Sequence, residues 1–240
     1  MKANNKVYDG TTTASLTGTA ALVGVLGSDD VALSGTATGT FSDKTVGTAK
    51  TVSVSGLSLT GADAGNYTLT EPSLVADISP ATIVVSGLSA NDKVYDGTTA
   101  AALSGTGTLT GVLGSDDVAL NGTAVGTFTD KTAGTGKTVN VSGIDLSGAD
   151  EGNYTYADPI LSANITPAVL TVTGLSANNK VYDATTAAGL SGTPVLAGVL
   201  GSDNVAVSGT AVGTFNDKIV GAAKPVNVSG LSLSGGDAGN

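Results

Sequence analysis

The segment Lys6-Val7-Tyr8-Asp9-Gly10-Thr11-Thr12 returns as Lys93 to Thr99, and again, with one change, as Lys180-Val181-Tyr182-Asp183-Ala184-Thr185-Thr186. The offset is 87 residues both times (Tyr8 to Tyr95, Tyr95 to Tyr182). It also carries Phe41 to Phe128 to Phe215, Pro80 to Pro167, and Gly65-Asn66 to Gly152-Asn153 to Gly239-Asn240, with no insertion or deletion. Between Ala3–Asn66 and Ala90–Asn153, 47 of 64 positions are identical, so the chain is a tandem array. In this phase copy one starts at Ala3, copy two at Ala90 and copy three at Ala177. A period of this length exceeds the roughly 20–50 residues of solenoid and propeller repeats, which cannot bury a face alone. It suits a small domain with its own core.

Composition then removes most chemistry. The chain has no Cys, His or Trp, and all ten basic residues are Lys. A thiol nucleophile, a Ser-His-Asp triad, an ordinary zinc site and an imidazole switch are therefore absent, and no Arg offers a bidentate fork for phosphate. No catalytic constellation remains, so the chain is not expected to be an enzyme. Twenty acids against ten lysines leave a net charge of −10, which disfavours nucleic acid as a partner. A hydrophobic fraction of 40% exceeds what a solvated low-complexity tract carries. No apolar run approaches the ~18 residues of a bilayer span, so no membrane insertion is expected. Met1-Lys2 is followed by no signal-peptide core and reads as a start joined to a piece of a longer chain.

The local pattern is that of strands. Val31-Ala32-Leu33, Thr51 to Val54, Leu57 to Leu59, Tyr67 to Thr70 and Ile83 to Val85 are short, rich in β-branched residues, and bounded by Gly, Asp, Asn or Pro. Thirty-five glycines argue against helices, since each costs ~1 kcal/mol in a helix interior. At most, Gly61 to Gly65 makes one helical turn. Many short strands without crossover helices predict small antiparallel β-sandwich modules. Module borders are best placed at Ile78-Ser79-Pro80-Ala81 and Ile165-Thr166-Pro167-Ala168, because proline ends one strand and launches the next without a floppy linker. The modules are then 1–79, lacking an opening strand, 80–166, complete, and 167–240, lacking closing strands. A competing frame starts at Ala3 and Ala90. Direct joining predicts an extended rod, with neighbouring repeats of the same chain as the first partners.

Each recurring motif has a physical reading. In Tyr8-Asp9-Gly10, in Tyr95-Asp96-Gly97 and in Tyr182-Asp183, the ring packs at a core edge while the carboxylate caps the following amides. Glycine supplies a left-handed turn residue, which Ala184 replaces in copy three. Phe41, Phe128 and Phe215, with Tyr67 and Tyr154, complete the expected ring set of the cores. Gly-Ser-Asp-Asp places adjacent acids at Asp29 and Asp30 and at Asp116 and Asp117, with Asp203 followed by Asn204 in copy three. These are weak calcium candidates, matching no established calcium loop, and turn formation is the simpler reading. No other cofactor is implied. Lys6, Lys44 and Lys50 with Asn66 and Asn153 raise a Lys–Asn isopeptide crosslink, which requires buried contact with a carboxylate. The Thr-rich stretches are too irregular for a flat binding array and read as half-buried strand threonines.

Taken together, Lys-Val-Tyr-Asp-Gly-Thr-Thr, the Gly-Thr-Phe-Ser/Thr-Asp-Lys that follows (Gly39 to Lys44, Gly126 to Lys131), Val-Ser-Gly-Leu/Ile, Gly-Ala-Asp-Ala/Glu-Gly-Asn-Tyr and the closing Ile-Ser/Thr-Pro-Ala resemble the YDG-type repeat modules of very large bacterial surface adhesins. The likeness covers nearly the whole chain. It implies bacterial immunoglobulin-like β-sandwiches strung along a secreted, cell-surface protein of the filamentous-haemagglutinin-like kind, an extracellular stalk role, and no catalytic residues. The alternative function is a multivalent binding module for a glycan, protein or neighbouring adhesin, with calcium as an optional ligand. The host or matrix ligand is not legible.

Overall fold

The computed structural model describes residues 1–240 and is all-β. Its only helical pieces are two three-residue 3₁₀ turns, Ala64–Asn66 and Glu151–Asn153, slightly later than the turn expected at Gly61 to Gly65. No helix is long and apolar enough to cross a membrane.

Copy one builds a five-stranded sheet in the order Lys6–Val7, Ser73–Ser79, Gly47–Thr60, Ala32–Phe41 and Thr13–Ala14. Alternation along Gly47–Thr60 turns Val52 and Val54 inward and the intervening residues to solvent. Copy two repeats the sheet with Lys93–Val94, Ile160–Thr166, Gly134–Ser147, Ala119–Phe128 and Ala100–Ala101. In copy three, Ala187–Ala188, Ala206–Phe215 and Val226–Ser234 form three strands of it.

The purely antiparallel expectation needs correction. Lys6–Val7 runs parallel to Ile78–Ser79, Lys93–Val94 parallel to Ile165–Thr166, and Tyr154–Thr155 parallel to Ala81–Thr82. A parallel pair needs a long connection rather than a helix, and nearly the whole copy separates Lys6 from Ser79. The expected strand at Tyr67 to Thr70 also does not form, although its counterpart Tyr154–Thr155 does. Pairing marks the difference: Tyr154–Thr155 lies on Ala81–Thr82, whereas Tyr67 to Thr70 pairs with no strand.

The long strands bend where two glycines meet. Gly35 (φ 92°) and Gly56 (φ 87°) face each other at a register shift, and a Cβ on Gly35 would sit 2.2 Å from the Gly56 carbonyl oxygen. Only glycine allows that approach.

The chain forms two compact units, each taking residues from more than one copy. One comprises Met1–Leu88, Gly105–Ala124 and Gly143–Pro159; the other comprises Ser89–Ser104, Val125–Ser142 and Ile160–Asn240. The first is built on Tyr8, Phe41, Val52, Ala76, Ile78, Ala81, Ile83 and Tyr154. The second is built on Tyr95, Ala101, Phe128, Val139, Ala163 and Ile165. The expected rings are therefore core residues in copies one and two, with Tyr67 half-buried, whereas in copy three Phe215 is only half-buried and Tyr182 is exposed.

Candidate functional site

Within the first unit, one carboxylate gathers residues from two copies. Asp116 belongs to the Gly-Ser-Asp-Asp turn of copy two, whose backbone is set by Asp116 N–H donating to the Leu113 carbonyl. The Tyr8 hydroxyl of copy one donates to Asp116 Oδ2 at 2.7 Å, and Lys44 Nζ of copy one donates to Oδ1 at 2.8 Å. The Tyr154 hydroxyl of copy two also donates to Oδ2 at 2.7 Å while accepting from Leu113 N–H. Asp116 is 6% exposed and Lys44 40% exposed. The Tyr8 and Tyr154 rings meet edge to face with centroids 5.5 Å apart, and Lys44 Nζ lies 5.8 Å from the Tyr8 ring centre. Beside them, Val46 N–H donates to Oδ1 of the buried Asn153 at 2.9 Å.

Three donors on one carboxylate favour its charged form, the lysine most. They hold Asp116 down at about 2. Burial, with the Asp116 charge beside it, pushes the Tyr154 hydroxyl up to about 12 and the Tyr8 hydroxyl upward as well. Asp116 pulls the Lys44 ammonium above its ordinary value. All of these shifts favour the same protonation pattern, a charged carboxylate and ammonium beside neutral tyrosine hydroxyls.

The arrangement recurs within the second unit. The Tyr95 hydroxyl donates to Asp203 Oδ2 at 2.8 Å, Lys131 Nζ to Asp203 Oδ1 at 2.8 Å, and Ala133 N–H to Asn240 Oδ1 at 3.0 Å. Lys131, then Tyr95, lowers the Asp203 carboxyl. One tyrosine hydroxyl reaches Asp203, against two at Asp116.

The YDG segment thus has two jobs. Its Asp is local: Asp9 Oδ1 accepts from Thr11 N–H (2.9 Å), Thr11 Oγ1 (2.8 Å) and Lys6 Nζ (2.7 Å), and Lys6 Nζ lies 5.4 Å from the Phe41 ring centre. Asp96, Lys93 and Phe128 repeat this, as do Asp183, Lys180 and Phe215. Its Gly is a left-handed turn residue at Gly10 and Gly97 (φ 74° and 78°); Ala184 keeps that conformation at φ 62°, where a Cβ is strained. Its Tyr, at Tyr8 and Tyr95, reaches the following copy. The YDG domain matches the chain three times, over residues 1–74, 79–160 and 166–240. The chain belongs to the YDG domain family. No curated protein and no solved structure matches it.

Each YDG repeat spends its other candidate residues on turns. Asp30 Oδ2 accepts from Ala62 N–H and Asp117 Oδ2 from Ala149 N–H, while Asp29 Oδ2 accepts from the Tyr67 hydroxyl at 2.6 Å. No three acidic side chains converge anywhere in the chain. The hydrogen bonds of Lys6, Lys44 and Lys50 go to aspartate and threonine oxygens, not to Asn66 or Asn153. Sequence reading placed Asp116 and Asp203 in turns and missed their role as acceptors for the preceding YDG repeat. One signal pointed there: copy three keeps the first acid of its Gly-Ser-Asp-Asp motif as Asp203 but replaces the second with Asn204.

Proposed function

We propose that the chain is a run of structural spacer repeats from a secreted, cell-surface bacterial adhesin, holding a separate adhesive domain away from the cell, with no catalytic role. The observation that carries this reading is the junction lock, made twice with equivalent residues: Tyr8, Lys44 and Val46 on Asp116 and Asn153, then Tyr95, Lys131 and Ala133 on Asp203 and Asn240. A repeat whose signature side chain grips the following repeat suits load-bearing spacing. In this reading the modules are immunoglobulin-like sandwiches bounded at Pro80 and Pro167. The pairing of Ala81–Thr82 with Tyr154–Thr155 and of Val84–Ala90 with Leu103–Thr110 supports that frame, because the strand material after Pro80 joins copy two. Turn acids and small polar residues suit a solvated spacer surface.

Small-angle scattering tests the proposal. Strands of ~20–35 Å imply modules about 30–40 Å long, so three in line give a maximum dimension of about 90–120 Å. A radius of gyration near ~18 Å, the value for a compact chain of this length, would remove the stalk reading.

A further inference from the structure

In copies one and two, a strand near the start of the copy lies beside the strand that closes it, and the two run in the same direction. Lys6 and Val7 sit opposite Ile78 and Ser79, and Lys93 and Val94 opposite Ile165 and Thr166. The pairs are short, but further hydrogen bonds extend each of them at both ends. Past Val7, Tyr8 N–H donates to the Ser79 carbonyl at 2.8 Å, and the Ser79 hydroxyl donates back to the Lys6 carbonyl at 3.3 Å. Ahead of Lys6, Asp77 N–H donates to Asn5 Oδ1 at 2.8 Å and Asn5 Nδ2 donates to Asp77 Oδ2 at 3.0 Å, a two-bond bracket across the strands. In copy two, Tyr95 N–H donates to the Thr166 carbonyl at 2.8 Å, and Asn164 N–H and Nδ2 donate to Asp92 at 2.7 and 2.9 Å.

The bracket survives a change of both its members. Copy one has Asn5 against Asp77, and copy two has Asp92 against Asn164. The two positions exchange types together, so each copy sets one amide against one carboxylate. Such a pair offers a donor to an acceptor, whereas two carboxylates offer acceptors alone. The same residue of the closing strand also holds its other neighbour: Ala49 N–H donates to Asp77 Oδ1 and Gly136 N–H to Asn164 Oδ1, both at 2.8 Å. On the inner face, Ile78 and Ile165 are buried against the cores and keep water from the pair.

The direction of the strands decides how tension acts on them. The chain enters copy one's pair ahead of Lys6 and leaves it after Ser79, at Pro80. Because the strands are parallel, pulling on those two exits drags them along their common axis in opposite senses, and every hydrogen bond across the pair carries load at once. Two antiparallel strands with the same exits would be pulled apart crosswise and would lose their bonds one after another. While the pair holds, the residues enclosed between Val7 and Ile78 carry no tension.

We propose that the parallel pair with its Asn–Asp bracket is a shear clamp, which shields the body of copy one, and in the same way of copy two, from tension along the chain. Its use rests on the spacer reading, but the clamp is tested separately: scattering decides whether the chain is a rod, and pulling decides whether the pair bears load in shear.

The experiment is single-molecule pulling on the full chain, which has no cysteine of its own and therefore takes thiol handles at chosen sites. Asn4→Cys with Pro80→Cys loads the pair along its axis. Thr12→Cys with Pro80→Cys places both handles past the C-terminal ends of the two strands and loads it crosswise. At equal force the axial pair should open at least about tenfold more slowly, because its hydrogen bonds yield together. Opening frees roughly 70 residues at 3.3–3.6 Å each, a step of about 230–250 Å. With the axial handles, Asn5→Asp should speed opening about tenfold, the value of one hydrogen bond to a charged group. Adding Asp77→Asn should restore the original rate, since the double variant has the arrangement of copy two; with the crosswise handles, which reach the bracket last, Asn5→Asp should change the rate less. Asn5 is exposed, so the single variant keeps the fold. Equal opening rates in the two directions, a much shorter step, an unrestored double variant, or the same acceleration by Asn5→Asp in both directions would each overturn the clamp.

Discussion

Asp29 and Asp116 occupy the same position in two nearly identical turns, so Asp→Asn at each separates what the turn needs from what the junction needs. Asp116 accepts from two tyrosine hydroxyls and from Lys44, whereas Asp29 accepts from Tyr67 alone, at the surface. A hydrogen bond to a carboxylate contributes roughly 1.5–3 kcal/mol and one to a neutral acceptor about 0.5–1.5, so each tyrosine loses on the order of 1 kcal/mol. Lys44 is 40% exposed, which limits the ion pair to at most ~1 kcal/mol. Asp116→Asn should therefore cost about 2–3 kcal/mol, and Asp29→Asn no more than about 1. Urea unfolding followed by tyrosine fluorescence measures both, with an unchanged slope indicating that the native and unfolded states keep their compactness. Adding Lys44→Met to each gives a double-mutant cycle, in which coupling is expected with Asp116 and not with Asp29. If the two Asn variants unfold within ~0.5 kcal/mol of each other, the resolution of additivity itself, the junction is not held by this carboxylate.

Other outcomes follow from the same contacts. Phe128→Ala, at a ring buried in the second core, should cost ~3–5 kcal/mol in the same urea assay. Ala184→Gly should stabilise copy three by ~0.5–1 kcal/mol, because φ 62° strains a Cβ, with part of the gain returned as unfolded-chain entropy; thermal unfolding of the pair measures it. Asp116 titrates at about 2 in the fold against an ordinary 3.8, so its contribution is full above 3.8 and is lost as pH falls toward 2; the acid limb of a stability–pH curve should flatten in Asp116→Asn. Tyr154 is raised from 10.0 to about 12, so its contribution is full below 10 and is lost as pH rises toward 12, a limb that Tyr154→Phe should remove.

Everything that repeats or alternates was legible in the residues alone. The 87-residue period, the all-β character and the turn roles of Asp9, Asp96 and Asp183 follow from spacing and propensity, because a strand or an Asx turn is decided by residues two or three apart. Ala184 was legible as a departure from glycine, but whether the turn relaxes or strains there is decided by its left-handed φ of 62°. The junction was not legible. Tyr8 and Asp116 are 108 residues apart and Lys44 and Asp116 are 72 apart, so neither separation equals the repeat and no local pattern announces the contact. Packing in three dimensions settles that Asp117 caps its own turn while Asp116 receives the preceding copy. It likewise decides that the sheet closes through a parallel pair, and that Tyr154–Thr155 is a strand while Tyr67–Thr68 is not. The reason is the same in each case: hydrogen bonding obeys distance in space, and a residue's partner is set by which strand lies beside it rather than by its own side chain.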